Sequence, residues 1–243
     1  MCGSPAVRYC DGQPADRQRS TDSPNMPQAD GPAVRIQLAG FKGLVDPRLA
    51  QGESCVRFLR SLDGLIRDGQ AFKDDTTSSV SRAQWNGRDI VVKRYNHKGL
   101  CHSVRHTLKG SRAKRNWVNA HRLGRLSIAT PGPLAYVEAY RGPLLWRSYF
   151  ITQFASGRQV HDVFGDPAVE DAEKRCVNDL VLDLLGVMAD HGITHGDMKH
   201  TNLLYDGHRI VLMDLDAMRF GGIRSLRRRR HRNDRRRYLR DVT

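Results

Sequence analysis

The run His195-Gly196-Asp197-Met198-Lys199-His200-Thr201-Asn202, followed by Asp214-Leu215-Asp216, gathers carboxylates, an amide and an ammonium at close spacing. Transfer of a phosphoryl group from a nucleotide needs such a set. It takes a carboxylate near the acceptor hydroxyl, oxygen ligands for Mg2+ and cations on the phosphates, because its catalysis is mostly positioning and electrostatics. Asp197 would accept the hydroxyl proton, and Lys199 would neutralise the transferred phosphoryl group. Asn202, five residues beyond Asp197, would reach the metal from the same loop, and Asp214 would reach it from the end of a hairpin strand. A polar turn between a helix and a hairpin would account for any one of these residues, but not for their joint spacing.

Those residues need elements to hold them, and the apolar pattern supplies an order for these. A helix-like stretch at Cys55 to Leu65 puts Val56, Leu59 and Leu62 on one face. Ser79 to Trp85 and Asp89 to Tyr95 read as strands joined at Asn86-Gly87-Arg88, a strong hairpin cue. On the second strand Lys93 shares a face with Val91 and Tyr95, opposite Ile90 and Val92, and can point at nucleotide phosphates. A basic helix over residues 98–126 carries Trp117, Ala120 and Leu123 and should stop before Pro131-Gly132-Pro133. Leu134 to Tyr140 and Arg147 to Phe154 form a strand pair. An amphipathic helix after Asp166-Pro167 presents Val177, Leu180, Val181, Leu184 and Met188. Asn202 to Tyr205 and His208 to Met213 then pair across Asp206-Gly207. Hairpin, helix, strand pair, long helix, loop, hairpin is the order of a kinase-like fold.

Composition narrows the class. With 243 residues, 39% of them hydrophobic, the chain can build a core, and it shows no signal-peptide or membrane-spanning run. Five scattered cysteines without a C-x-x-C pair suggest a reducing cytosol and neither a disulfide framework nor a zinc ribbon. Cys101, His102 and His106 have metal-like spacing, but no second pair completes a tetrahedron. The net charge of +14 is polarised: residues 90–137 hold ten basic groups and no acid, and the last 25 residues hold eleven Arg and two Asp. Such fields recruit polyanions, whether nucleic acid, an anionic membrane surface or a phosphorylated ligand. Residues 1–34 have the composition of a disordered leader.

From about residue 70 to its C-terminus the chain resembles the lipopolysaccharide kinase family, the Kdo and core-heptose kinases and their relatives, within the protein-kinase-like superfamily. The likeness runs through Gln70 to Tyr95, Ser111-Arg112-Ala113, Thr130-Pro131-Gly132-Pro133, Arg147-Ser148-Tyr149, the Asp197 loop and Asp214-Leu215-Asp216. It implies an α+β, two-lobed protein-kinase-like fold with a reduced C-terminal lobe. The expected N-lobe covers about 66–154, the C-lobe about 158–243, and an Arg-rich terminal helix about 224–242. It further implies ATP and Mg2+ as cofactors, with Lys93 and Val91 at the nucleotide and Gln153, Phe154 and Ala155 as the hinge whose backbone binds adenine. Asp197 is then the base, and Asn202 and Asp214 are the metal ligands.

Three positions depart from the kinase pattern. Asn116 stands where a helix glutamate would pair with Lys93. The nucleotide-covering loop, Asp74-Asp75-Thr76-Thr77-Ser78-Ser79, is not glycine-rich, so hydroxyl and backbone donors of Thr76, Thr77 and Ser78 would serve the phosphates. Asp216 replaces a glycine, with no function assigned to it.

Only 29 residues follow Asp214, too few for a protein-substrate platform. The expectation is therefore phosphorylation of a sugar hydroxyl on a lipopolysaccharide core or similar anionic glycolipid. The enzyme would be cytoplasmic and peripheral on the inner membrane, its Arg-rich tail meeting lipid headgroups. The rivals are a nucleotide-binding pseudokinase or scaffold, motivated by Asn116, and a basic nucleic-acid-binding protein, motivated by the tail. No base-reading aromatic motif accompanies the latter.

Overall fold

The computed structural model describes residues 33–38, 40–49, 53–96 and 110–240. The leader up to residue 32, the Cys101, His102 and His106 trio and Val242 lie outside the described residues. The chain divides into two compact units, one built from residues up to Arg122 together with Pro131–Ala155, the other from Leu123–Thr130 and the chain from Ser156 onward.

The first unit is a seven-stranded antiparallel sheet with one helix packed on a face. Its strands are β1 (Val34–Leu38), β2 (Phe41–Val45), β3 (Gln70–Asp74), β4 (Ser78–Trp85), β5 (Arg88–Tyr95), β6 (Pro133–Arg141) and β7 (Leu144–Gln153), in the order β1-β2-β6-β7-β5-β4-β3. The turn between β4 and β5 is Asn86-Gly87 alone, both residues at positive φ (49° and 72°), as a two-residue hairpin turn requires. Arg88, expected in that turn, begins β5 instead. Two strands and a helix upstream of residue 66 belong to this unit, although periodicity had picked out only the helix.

That helix, α1 (Glu53–Asp68), buries Phe58, Leu59, Leu62 and Ile66 against Ile90, Val92, Ala135, Val137 and Ile151. Val56, expected on this face, is 37% exposed. It falls roughly 120° around the helix from the buried stripe, and Phe58 takes its place. Asp63 ties α1 to the sheet by accepting from Arg94 Nη1 at 3.0 Å, Arg147 Nη1 at 2.7 Å and Tyr149 Oη at 3.0 Å. Burial pushes the Asp63 carboxyl up, but Arg94, Tyr149 and Arg147 outweigh it and hold the group below the usual carboxylate range. Beside the same carboxylate, burial and the negative charge push the Tyr149 phenol up to about 12. A further helix, α2 (Arg112–Arg125), starts where Ser111 Oγ accepts from Lys114 N at 3.0 Å and buries Asn116 and Trp117.

The second unit has shorter elements: β8 (Arg158–Gln159), α3 (Val160–Gly165), α4 (Asp171–Asp190), β9 (Ile193–Thr194), β10 (Leu203–Tyr205), β11 (Ile210–Leu212), β12 (Arg219–Phe220) and α5 (Arg224–Arg240). Its ladders are the order β11-β10-β8 and the pair β12-β9. The long helix α4 begins five residues after Asp166, whose carboxylate instead closes a turn by accepting from Ala168 N. It buries Val177, Leu180, Val181, Leu185 and Met188, with Leu184 only half-buried. The Asp206-Gly207 cue marks a four-residue connection, not a two-residue one. Asp206 Oδ1 accepts from His208 N and Arg209 N and so extends the turn to Arg209.

Candidate active site

In the sheet unit, Lys93 sits on β5 between Val80 of β4 and Phe150 of β7, paired on both sides. The faces divide as alternation requires, with Ile90 and Val92 buried under α1 and Lys93 on the opposite side with Val91 and Tyr95. Its ammonium lies 5.3 Å from the Tyr95 ring centroid, and the Arg112 guanidinium lies 5.9 Å from the same ring. Asn116 Nδ2 donates to Tyr95 Oη at 2.6 Å. The helix residue that departs from the kinase pattern thus orients the aromatic ring next to the lysine.

The β3–β4 loop is closed by its own acid. Asp75 Oδ1 accepts from Thr77 N at 2.7 Å and Ser78 N at 2.8 Å, while Lys73 Nζ lies 3.0 Å from Asp75 Oδ2. These bonds, the one from Ser78 first, bring the Asp75 carboxyl down to about 2. In the hinge, Gln153 N donates to Gly132 O at 2.8 Å and Phe154 N to Asp89 O at 3.0 Å. Ala155 N has no such partner among the described residues. Phe154 stacks on Phe72 at 6.4 Å and carries the Arg82 guanidinium at 3.7 Å.

In the second unit, the loop after β9 brings Asp197, Lys199 and Asn202 into direct contact. Asn202 Nδ2 donates to Asp197 O at 2.8 Å and to Asp197 Oδ2 at 3.2 Å, and Lys199 Nζ lies 3.1 Å from Asp197 Oδ2. Asp214 is linked to this loop through its neighbour. Met213 N donates to Asn202 O at 2.9 Å, and His195 Nε2 lies 2.9 Å from Met213 O. Asp214 itself is left-handed, at φ 45°, and its carboxylate accepts from Asp216 N at 3.4 Å. Asp216, unassigned from sequence, therefore helps to orient Asp214 through its backbone.

The donors fit a hard cation. Asp214 is exposed, and Asn202 Oδ1 has no hydrogen-bond partner among the described residues while the amide nitrogen is fixed on Asp197. One carboxylate and one amide oxygen, completed by nucleotide phosphates and water, is an ordinary Mg2+ ligand set. No group of three His, Cys, Asp or Glu side chains able to hold a metal occurs among the described residues.

What holds this loop is α5, and sequence reasoning missed it. Asp234 is 2% exposed and accepts from His195 N at 2.9 Å and Gly196 N at 3.0 Å. Burial raises its carboxyl above the usual range, against the pull of those two N–H groups. Tyr238 is fully buried, donates to Asn178 Oδ1 at 3.0 Å and offers its backbone O to His200 Nε2 at 2.9 Å. Arg237 Nη1 donates to Gly196 O and lies 3.6 Å from Asp197 Oδ1. Gly196 has φ 83°, and a Cβ there would sit 2.8 Å from Ala217 O, so only glycine lets the loop pass this close. Leu226 and Leu239 of this helix are 45% and 42% exposed, and Tyr238 and Asp234 seat it. The single acid in an arginine run and the lone tyrosine were the available signals.

Lys93, Val91, Thr76, Thr77, Ser78, Gln153, Phe154 and Ala155 thus belong to the sheet unit, and Asp197, Lys199, Asn202 and Asp214 to the other. Among the described residues no helix is long and apolar enough to cross a membrane.

No curated protein matches the chain. Among solved structures, one described as WaaP in complex with acyl carrier protein superposes with a TM-score of 0.53 at 18% identity, covering 79% of this chain and 87% of that one. That likeness establishes a kinase-like fold. The model of the lipopolysaccharide kinase (Kdo/WaaP) family matches residues 65–241, from the end of α1 through the helix that clamps the Asp197 loop; the chain belongs to this family and is a phosphotransferase acting on a sugar hydroxyl.

Proposed function

We propose that the protein transfers the γ-phosphoryl group of ATP, with Mg2+, to a sugar hydroxyl of a lipopolysaccharide core or similar anionic glycolipid at the cytoplasmic face of the inner membrane. The observation that carries the reading is the mutual bonding of Asp197, Asn202 and Lys199 on one short loop. Asp197 takes the acceptor's proton, and Lys199 neutralises charge on the phosphoryl group in flight. Asn202 and Asp214 would hold Mg2+, which supplies charge neutralisation on the phosphates. Lys93 steadies the nucleotide phosphates, Val91 lines the base and Ala155 N meets the adenine edge, with Gln153 and Phe154 shaping that segment. Thr77 and Ser78 would serve the phosphates once Asp75 yields their N–H groups, with Thr76 beside them.

The outward arginines of α5 face anionic headgroups, and exposed Ile223 and Leu226 at its start suit an interfacial position. The test is transfer from labelled ATP to a panel of lipopolysaccharide-core acceptors. Labelled glycolipid that disappears in Asp197→Asn is the expected result. ATP binding with no acceptor labelled would overturn it in favour of a nucleotide-binding scaffold.

A further inference from the structure

Asp197 is flanked by two cations, one on each carboxylate oxygen: Lys199 at 3.1 Å from Oδ2 and Arg237 at 3.6 Å from Oδ1. The immediate surroundings of the carboxylate therefore carry one positive charge in excess. Lys199 has a partner in the transferred phosphoryl group, on the reading above. Arg237 has none assigned. Only its Nη1 is engaged, on Gly196 O and near Asp197, whereas its Nε and Nη2 have no acceptor among the described residues. The side chain is 47% exposed. A guanidinium with that edge open is a fork matched to a carboxylate or phosphate. The loop has other anchors on the same helix. The buried Asp234 carboxylate and Tyr238, the latter adjacent to Arg237 in sequence, already hold the loop from inside.

We propose that Arg237 is the residue that recognises the acceptor, its Nε–Nη2 edge binding a carboxylate or phosphate that the acceptor sugar carries close to the hydroxyl to be phosphorylated. This rests on Asp197 being the base. Anchoring the anion on Arg237 places the neighbouring hydroxyl beside Asp197 and excludes uncharged sugars, which leave the guanidinium without its counter-ion. The remaining arginines of α5 provide long-range attraction, and Arg237 provides the specificity.

The experiment compares the wild-type protein, Arg237→Gln and Arg237→Lys on three acceptors. These are an intact core oligosaccharide, the same material with its carboxyl groups reduced to alcohols, and the same material after phosphatase treatment. Expected is a rise in acceptor KM of roughly 10- to 100-fold in Arg237→Gln, with KM for ATP unchanged. Arg237→Lys restores part of the loss. The treatment that makes wild type and variant equal identifies the anion as carboxylate or phosphate. An equal fall in kcat on all three acceptors, or a raised KM for ATP, overturns the proposal and makes Arg237 a loop pin or a nucleotide residue. If Arg237→Gln does not fold, by its thermal midpoint, Arg237→Lys carries the same comparison. A wild-type protein that labels no acceptor removes the parent reading and this one together, whereas wild-type transfer with both variants indifferent removes this one alone.

Discussion

Lys93 and Asp197 are held by different means. The lysine rides a strand hydrogen-bonded to neighbours on both edges, and the face behind it is packed under α1. Asp197 lies in a loop between short ladders, and backbone N–H groups just before it end on a side chain 38 to 39 residues further along the chain. A strand position is over-determined, since the loss of one side chain leaves the ladder in place. The loop depends on a handful of side chains, so a single substitution far from the reacting atoms can displace it. Precision in the Asp197 loop is therefore a property of α5, and precision at the lysine is a property of the sheet.

The contrast fails outright if the loop carboxylates are dispensable. Asp197→Asn and Asp214→Asn should each lower phosphoryl transfer by roughly 10^2- to 10^4-fold with an unchanged thermal midpoint. Full activity in either removes that residue's role. A lesion in the clamp should be the next largest. Tyr238→Ala empties a fully buried site and should cost about 3–5 kcal/mol, read by denaturant unfolding, with transfer activity falling further than in Leu62→Ala, a comparable lesion under the sheet. Equal activity losses in the two would show that the clamp is not special to the loop.

Asp234→Asn sharpens the point, because the amide can turn only its oxygen toward one of two N–H groups. The expected cost is about 1–3 kcal/mol, with a lowered kcat and an unaltered KM for ATP. In the sheet unit, Asp63→Asn should cost only about 1 kcal/mol, since its carboxylate is half exposed, and leave kcat intact. Its folded pKa is lowered, so its contribution is present above the ordinary carboxylate range and fades as pH falls through the depressed value. Acid titration of α1 docking, absent in Asp63→Asn, checks that sign. The smallest effect belongs to Asp75→Asn. Releasing Thr77 N and Ser78 N from a charged oxygen should lower KM for ATP by a small factor, with stability shifted by about 0.5 kcal/mol or less.

The contacts within the proposed site were legible in the residues wherever particular side chains fall at short spacing. Asp197, Lys199 and Asn202 fall within six consecutive positions, and their contacts are local. Lys93 was legible because a period of two separates it from the buried Ile90 and Val92. Family membership and a kinase-like fold followed from the same stretches. What could not be read were pairings set by packing. Asp234 and Arg237 look like parts of one solvated charge run, because no local rule connects a helix residue to a loop some 40 positions earlier. Asp206 and Asp75 misled in a related way, since carboxylates that accept from their own backbone set turn length and loop occupancy by geometry that residue type alone does not encode.

Ten arginines fall within the 17 residues of α5, a dense series of trypsin cleavage points. In a docked helix those bonds are shielded until the segment opens locally, and the rate of cutting then follows the opening equilibrium. Because the same helix clamps the Asp197 loop, the time course of limited digestion is a clock for the integrity of the proposed catalytic centre, readable on a gel without any substrate. Ligands that engage the loop or the helix should slow that clock, and agents that loosen the clamp should speed it.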